Sequence, residues 1–257
     1  MAHRARKRFG QNFLHDPFII DQIINAIHAQ SDDHLVEIGP GMGALTESLI
    51  ASGAQLDLIE LDRDLITGLK VITANHPQVV IHNADALKFD FTSLCTNDTK
   101  LRVVGNLPYN ISTPLIFHLL DAASAIQDMH FMLQKEVVDR LAAGPGSKHY
   151  GRLGIMVQYR CGVEKLIDVP PESFDPAPKV DSAVVRLTPY TDLPLYAKDE
   201  QKFKRLVTQA FNQRRKTLRN NLKGLLDEQQ IQALGIDPTA RAETLTLAQF
   251  VALSDLL

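Results

Sequence analysis

Apolar residues along the first half of the chain switch repeatedly between short unbroken runs and a helical spacing, and that switching predicts the fold. Leu35, Val36 and Ile38 form a run suited to a buried parallel strand. Leu45, Leu49 and Ile50 then fall on one face of a helix. Strands are predicted over Leu35 to Ile38, Leu56 to Glu60, Val79 to His82, Leu101 to Gly105 and Met129 to Leu133. Helices are predicted over Gly43 to Ser52, Asp64 to Ala74, Thr113 to Ala122 and Glu136 to Ala142. Such alternation through short links implies an α/β fold with a Rossmann-like, doubly wound parallel sheet. Before it, Asp16-Pro17 reads as a cap and first-turn proline, and Ile20, Ile23, Ile24 and Ile27 make a helical core stripe.

Further on, the pattern changes. Gly144 to His149 reads as a flexible basic loop and Leu153 to Tyr159 as a helix. Cys161 to Asp168 and Ser182 to Thr188 read as two late strands, joined through the proline-rich stretch Phe174 to Val180. Beyond Pro189 the signals are purely helical, with Phe203, Leu206, Val207, Ala210 and Phe211 on one face. Two domains are expected: 1–190, led by a basic arm over 1–15, and a small all-α domain over 191–257.

Length and composition agree with one large α/β domain plus an appendage. No apolar run is long enough to span a bilayer, and the basic start is not followed by a signal-type apolar stretch, so a cytoplasmic location without membrane contact is expected. Cys95 and Cys161 have no metal-like spacing and the nine histidines are scattered, so no metal is expected. A monomer is expected. Charge changes the picture more. The net charge of −3 conceals a basic start (Arg4, Arg6, Lys7, Arg8) and a segment over 198–223 with nine basic and two acidic side chains, both set on an otherwise acidic chain. Localised positive potential suits a polyanion docked at chosen places; a solvated helix face would carry the same charges.

Candidate chemistry gathers where the strands end. Gly39, Gly41 and Gly43 let the backbone turn tightly beneath a ligand, but the third glycine comes two residues after the second, not three as in the dinucleotide fingerprint. Free amides at the following helix start would favour an anionic group. Glu37, Glu60 and Asp85 stand at successive strand ends and suit a cationic cofactor. S-adenosylmethionine meets these demands, with a sulfonium, a ribose diol for Glu60, an adenine amine for Asp85 and a carboxylate for the helix amides.

Asn106-Leu107-Pro108-Tyr109 follows the fourth strand. An aromatic exocyclic amine is a poor nucleophile because its lone pair is delocalised. Two acceptors for its hydrogens, the Asn106 side-chain oxygen and the Leu107 carbonyl, would draw the nitrogen toward tetrahedral geometry for attack on a methyl group. Pro108 holds Leu107 extended, and Tyr109 offers a ring on which a base stacks, worth roughly 1 to 3 kcal/mol. Phe174 is either the opposite wall for a flipped base or a core residue. Arg214, Arg215, Lys216 and Arg219, interleaved with amides, are candidate RNA contacts reading mainly shape.

These motifs together resemble the bacterial small-subunit ribosomal RNA adenine dimethyltransferases, within the wider ribosomal RNA adenine dimethylase family. The likeness runs nearly end to end, through Gln11-Asn12-Phe13-Leu14, Glu37 to Gly43, Glu60, Asn83 to Ala86, Asn106 to Ser112, Phe174 to Val180, Asn212 to Thr217 and Leu234 to Asp237. It implies cofactor contacts at Asn12, Leu14, Gly39, Glu60, Asp85 and Asn106. It also implies dimethylation of two adjacent adenosines near the 3′ end of 16S ribosomal RNA, in the small subunit or its precursor. The rival expectations are a resistance-type dimethylase of large-subunit RNA, an assembly factor whose docking outweighs its catalysis and, disfavoured by the glycine spacing, a nicotinamide-dependent oxidoreductase.

Overall fold

The computed structural model describes residues 11–95 and 99–257, so Arg4, Arg6, Lys7 and Arg8 lie outside the described residues. The described residues form two compact units, one within 11–138 and 164–189, the other 139–163 and 190–257.

In the first unit the chain runs β1 (Phe13–Leu14), α1 (Pro17–Ile27), β2 (His34–Ile38), α2 (Thr46–Ala51), β3 (Gln55–Glu60), α3 (Arg63–Thr73), β4 (Val79–Asn83), β5 (Leu101–Asn106), α4 (Ser112–Asp121) and β6 (Ile126–Gln134). After α5 (Lys135–Ala142) and α6 (Arg152–Gln158) come β7 (Cys161–Val169), β8 (Phe174–Asp175) and β9 (Ser182–Pro189). Seven strands make one sheet in the order β4-β3-β2-β5-β6-β9-β7, and β1 pairs with β8 apart from it. β2 through β6 are parallel neighbours, whereas β9 lies antiparallel on β6 from Met129↔Leu187 to Gln134↔Ser182. The sheet is Rossmann-like but mixed, because a late strand returns onto its edge. Every residue of β2 is buried, as a strand covered on both faces requires. Its order reverses between β2 and β5, the switch point where such sheets bind ligands.

The helix predicted from Gly43 begins only at Thr46. Gly39, Gly41 and Gly43 sit at φ +68°, +62° and +90°, a conformation no α-helix contains. In α1, Asp16 accepts from Phe18 N–H and Ile19 N–H, and Ile19, Ile23 and Ile27 are buried; Ile20 and Ile24 of the expected stripe are only partly so. Arg102 is buried in β5 and donates to Asp128, to Asp33 at 2.7 Å and to the Ile27 carbonyl at 2.7 Å, tying β6 and the end of α1 to the sheet.

The second unit holds α7 (Glu200–Ala210), α8 (Leu218–Asn221), α9 (Glu228–Ala233) and α10 (Leu247–Ser254). Its core also takes Tyr150, Ile155 and Tyr159, buried in one cluster with Phe203, Leu206 and Phe250. The helical unit therefore includes 139–163, which the expected division at 191 assigned to the α/β domain. α9 and α10 both start with capping boxes, Asp227 with Gln230 and Thr246 with Gln249. No helix among the described residues is long and apolar enough to cross a membrane.

Candidate active site

A cavity of about 370 Å³ opens beyond the carboxyl ends of β2, β3 and β5, within the usual range of roughly 300 to 1,000 Å³ for small-molecule sites. It brings together Asn12, Leu14, Glu37, Gly39, Gly41, Glu60, Asp85 and the whole of Asn106 to Tyr109. All of these were singled out in the sequence, although they come from separate loops.

The acids sit there for local reasons. Glu60 ends β3, is 6% exposed, and accepts from Asp62 N–H at 2.7 Å and from Gly41 N–H at 3.2 Å. Burial pushes its carboxyl above the ordinary value against those two donors. The Gly41 amide is thus turned onto Glu60, and α2 is only six residues long, so the turn differs from the expected row of free helix-start amides. Glu37 lies deeper. Burial pushes its carboxyl up to about 7, opposed by the Thr46 hydroxyl, which donates at 2.7 Å, and reinforced by the nearby Glu60 charge. Two buried carboxylates lining one cavity call for a cation. Asp85 accepts from Leu87 N–H at 3.0 Å, while Asn83 donates to the Glu60 carbonyl at 2.8 Å and so ties the ends of β3 and β4. This donor and acceptor set fits S-adenosylmethionine: acids beside the cationic part, carboxylates for hydroxyl and amine hydrogens, and apolar side chains such as Leu61 and Met42 at the rim. Among the described residues no three His, Cys, Asp or Glu side chains form a group able to hold a metal ion.

Asn106 ends β5, beside Met132 of β6. Gly105 makes this possible: a Cβ there would lie 2.6 Å from the Ile38 carbonyl oxygen, so only glycine lets β5 run this close to β2. The Asn106 Nδ2 group donates to the Asn12 carbonyl at 3.0 Å. Beyond it Pro108 accepts from Ile111 N–H at 3.1 Å, closing a turn. The Tyr109 hydroxyl is 2.7 Å from Ser182 Oγ of β9, which pins the ring at the cavity, and burial raises its pKa against that hydrogen bond.

Phe174 is not at the cavity. It is 3% exposed, pairs with Leu14 between β8 and β1, and belongs to the apolar core with Leu45 and Ile23. The second aromatic ring of the lining is Phe13 instead, packed against the turn where a Cβ on Gly41 would meet it at 3.2 Å. Thr46 and Asp62 were also missed; Asp62 was legible as the cap of α3, whose first-turn Asp64 N–H it accepts. In the second unit Arg215 and Lys216 are exposed. Arg214 is tethered, donating to the Lys148 carbonyl at 2.7 Å, and Arg219 pairs with Glu228 at 3.4 Å.

A Rossmann-like sheet with an acid-lined crevice at its switch point and an Asn-Leu-Pro-Tyr loop at its rim defines a class I S-adenosylmethionine-dependent methyltransferase. The profile of the ribosomal RNA adenine dimethylase family matches residues 2–257, and the chain belongs to that family of methyltransferases, which use S-adenosylmethionine as methyl donor. Among its relatives, the protein named ribosomal RNA small subunit methyltransferase A from Pseudomonas savastanoi is 63% identical over 255 residues, covering 99% of this chain and 95% of that one. The protein of the same name from Pseudomonas aeruginosa is 62% identical with the same coverage. Among solved structures, a dimethyladenosine transferase from Plasmodium falciparum superposes with a TM-score of 0.79 at 28% identity, covering 94% of this chain and 95% of that one. The 23S rRNA methyltransferase ErmE, at 24% identity and a TM-score of 0.77 over 95% and 98% of the two chains, shares the fold.

Proposed function

We infer that this chain transfers methyl groups from S-adenosylmethionine to the exocyclic amines of two adjacent adenosines near the 3′ end of 16S ribosomal RNA, in the small subunit or its precursor. The two relatives above, at 62–63% identity, are named for the small subunit, which favours this over a large-subunit target. A cytoplasmic monomer working without a metal completes the reading.

The observation that carries it is the Asn106 amide, whose nitrogen is taken up by Asn12 at the rim of an acid-lined cavity. Asn12, Leu14, Gly39, Gly41, Glu60, Asp85 and Asn106 hold the cofactor, which when bound supplies an electrophilic methyl group on a sulfonium. Glu60 would accept from the ribose hydroxyls and Asp85 from the adenine amine. The Asn106 side-chain oxygen and the Leu107 carbonyl accept the two hydrogens of the target amine and free its lone pair. Pro108 brings no competing N–H, and Tyr109 carries the base on its ring. Positioning and hydrogen-bond acceptors do the chemistry, and the surplus proton of the methylated amine passes to water, so no strong base is required. Arg215 and Lys216 contact the RNA backbone, with Arg214 and Arg219 beside them.

Incubation with labelled S-adenosylmethionine and each ribosomal subunit, followed by mapping of the modified base, is the direct test. Label is expected on two adjacent adenosines of 16S RNA; label on 23S RNA, or on neither, rejects the assignment. Asn106→Ala is expected to keep its fold and RNA binding and to lose roughly 10²- to 10³-fold in turnover. Normal turnover in that variant would remove Asn106 from the mechanism.

A further inference from the structure

A primary amide has two ends of nearly one shape and opposite hydrogen-bonding sense. Asn106 therefore serves as an acceptor only if something keeps its NH2 group away from the target amine. The Asn12 main-chain carbonyl stands 3.0 Å from Asn106 Nδ2. A carbonyl can only accept, so the nitrogen must face Asn12 and Oδ1 must face away from it.

What holds Asn12 there is a short strap. After it, Phe13 and Leu14 pair antiparallel with Asp175 and Phe174, and the Leu14 side chain is buried. Before it, Gln11 Nε2 donates to Asp62 Oδ2 at 3.2 Å. Asp62 also gives its own N–H to Glu60 Oε1. The strap is thus held through Gln11 to Asp62, whose N–H reaches the crevice acid Glu60, and through Asn12 to the Asn106 amide.

The geometry points to Gln11 as a positioning residue: anchored on Asp62, it keeps the Asn12 carbonyl on Asn106 so that Oδ1 is offered to the incoming amine. This rests on the function inferred above. Once the strap is released, the amide can turn its NH2 group toward the substrate amine. Donor then faces donor, and the lone pair stays in the ring.

The test is steady-state methylation of small-subunit particles by the full chain. The kcat and the KM for S-adenosylmethionine are measured separately for wild type, Gln11→Ala, Gln11→Lys and Gln11→Glu, with melting temperatures as the control for folding. Alanine is expected to lower kcat roughly tenfold, by a clearly larger factor than it raises the KM, since misplacing the reacting amide acts on kcat while Asn12 and Leu14 of the same strap line the cofactor cavity. Lysine keeps a donor of similar reach to Asp62 and is expected to recover most of the loss; glutamate sets a carboxylate against Asp62 and is expected not to. A rise in KM with kcat intact would make the strap a cofactor cover and overturn the inference, as would unchanged kcat in both the alanine and glutamate variants. Should alanine fail to fold, the contrast between lysine and glutamate decides. A wild type that methylates neither subunit overturns the functional reading itself, a result seen before any variant is compared.

Discussion

Glu37 is held in the fold in a form that resists ionisation. Its carboxyl titrates near 4.5 when exposed and is pushed up to about 7 by burial. Below about 4.5 folded and unfolded chains both carry the proton and the site is neutral in its effect. Between the two values the folded chain keeps a proton that the unfolded chain has lost, so stability falls as pH rises. Above 7 the whole cost is present, on the order of 3 kcal/mol. Glu37→Gln keeps an acceptor for the Thr46 hydroxyl and removes the charge. Its melting temperature is expected to exceed that of wild type at pH 8 by several degrees, with a clearly smaller gain at pH 5; an equal gain at both would show that the side chain does not titrate in this range. In the function proposed above the same charge has a use. Cofactor affinity of the wild type is expected to rise between pH 6 and pH 8, as the ionised form becomes available to a cation, and to stay low and flat in the glutamine variant when measured by calorimetry.

At the scale of the element, periodicity was a sound guide wherever a strand or helix is long and buried on a regular face. β2, β3, β5 and α3 lie within a residue or two of their expected limits. Boundaries set by backbone geometry were less legible: the positive φ angles of three glycines delay α2, and apolar spacing carries no trace of them. Nor does spacing reveal buried charge. Arg102 interrupts the apolar run Leu101 to Val104, and its partners Asp33 and Asp128 are 69 and 26 residues away in the chain. Removing that one cation leaves Asp128 and the Ile27 carbonyl without the guanidinium and Asp33 with only the Gln30 N–H. Arg102→Met is expected to lower stability by about 3 to 5 kcal/mol in urea titration. A loss under about 1 kcal/mol, the level of exposed ion pairs, would mean that water replaces the guanidinium. Phe174 belongs to the same lesson, since one aromatic residue in a proline-rich loop gives no sign of whether it faces a ligand or, as here, the core beside Leu14.

For the whole molecule, the gathering of the candidate residues was readable because several motifs each carried a chemical reason, and the chain brings their loops together around one cavity at the switch point. The division into units was not. α6 has an apolar face at helical spacing, but the sequence does not say which core receives it, and Ile155 and Tyr159 went to the helical one. That assignment bears on RNA binding, because the loop before α6 is the one Arg214 grips through the Lys148 carbonyl. A guanidinium occupied in this way and 3.8 Å from Glu243 has less to offer a phosphate than the exposed Arg215 and Lys216. The basic segment should therefore divide in a salt titration. Replacing Arg215 and Lys216 together by alanine is expected to flatten the slope of log affinity against log salt by about 0.7 to 0.9 for each phosphate no longer neutralised, while leaving cofactor binding unchanged. Arg214→Ala is expected to change the slope less and instead to make the 144–149 loop easier to cleave by protease. Equal slope changes for the two would place Arg214 on the RNA as well, and an unchanged slope in the double variant would leave the basic segment a solvated face and move the docking surface elsewhere on the chain.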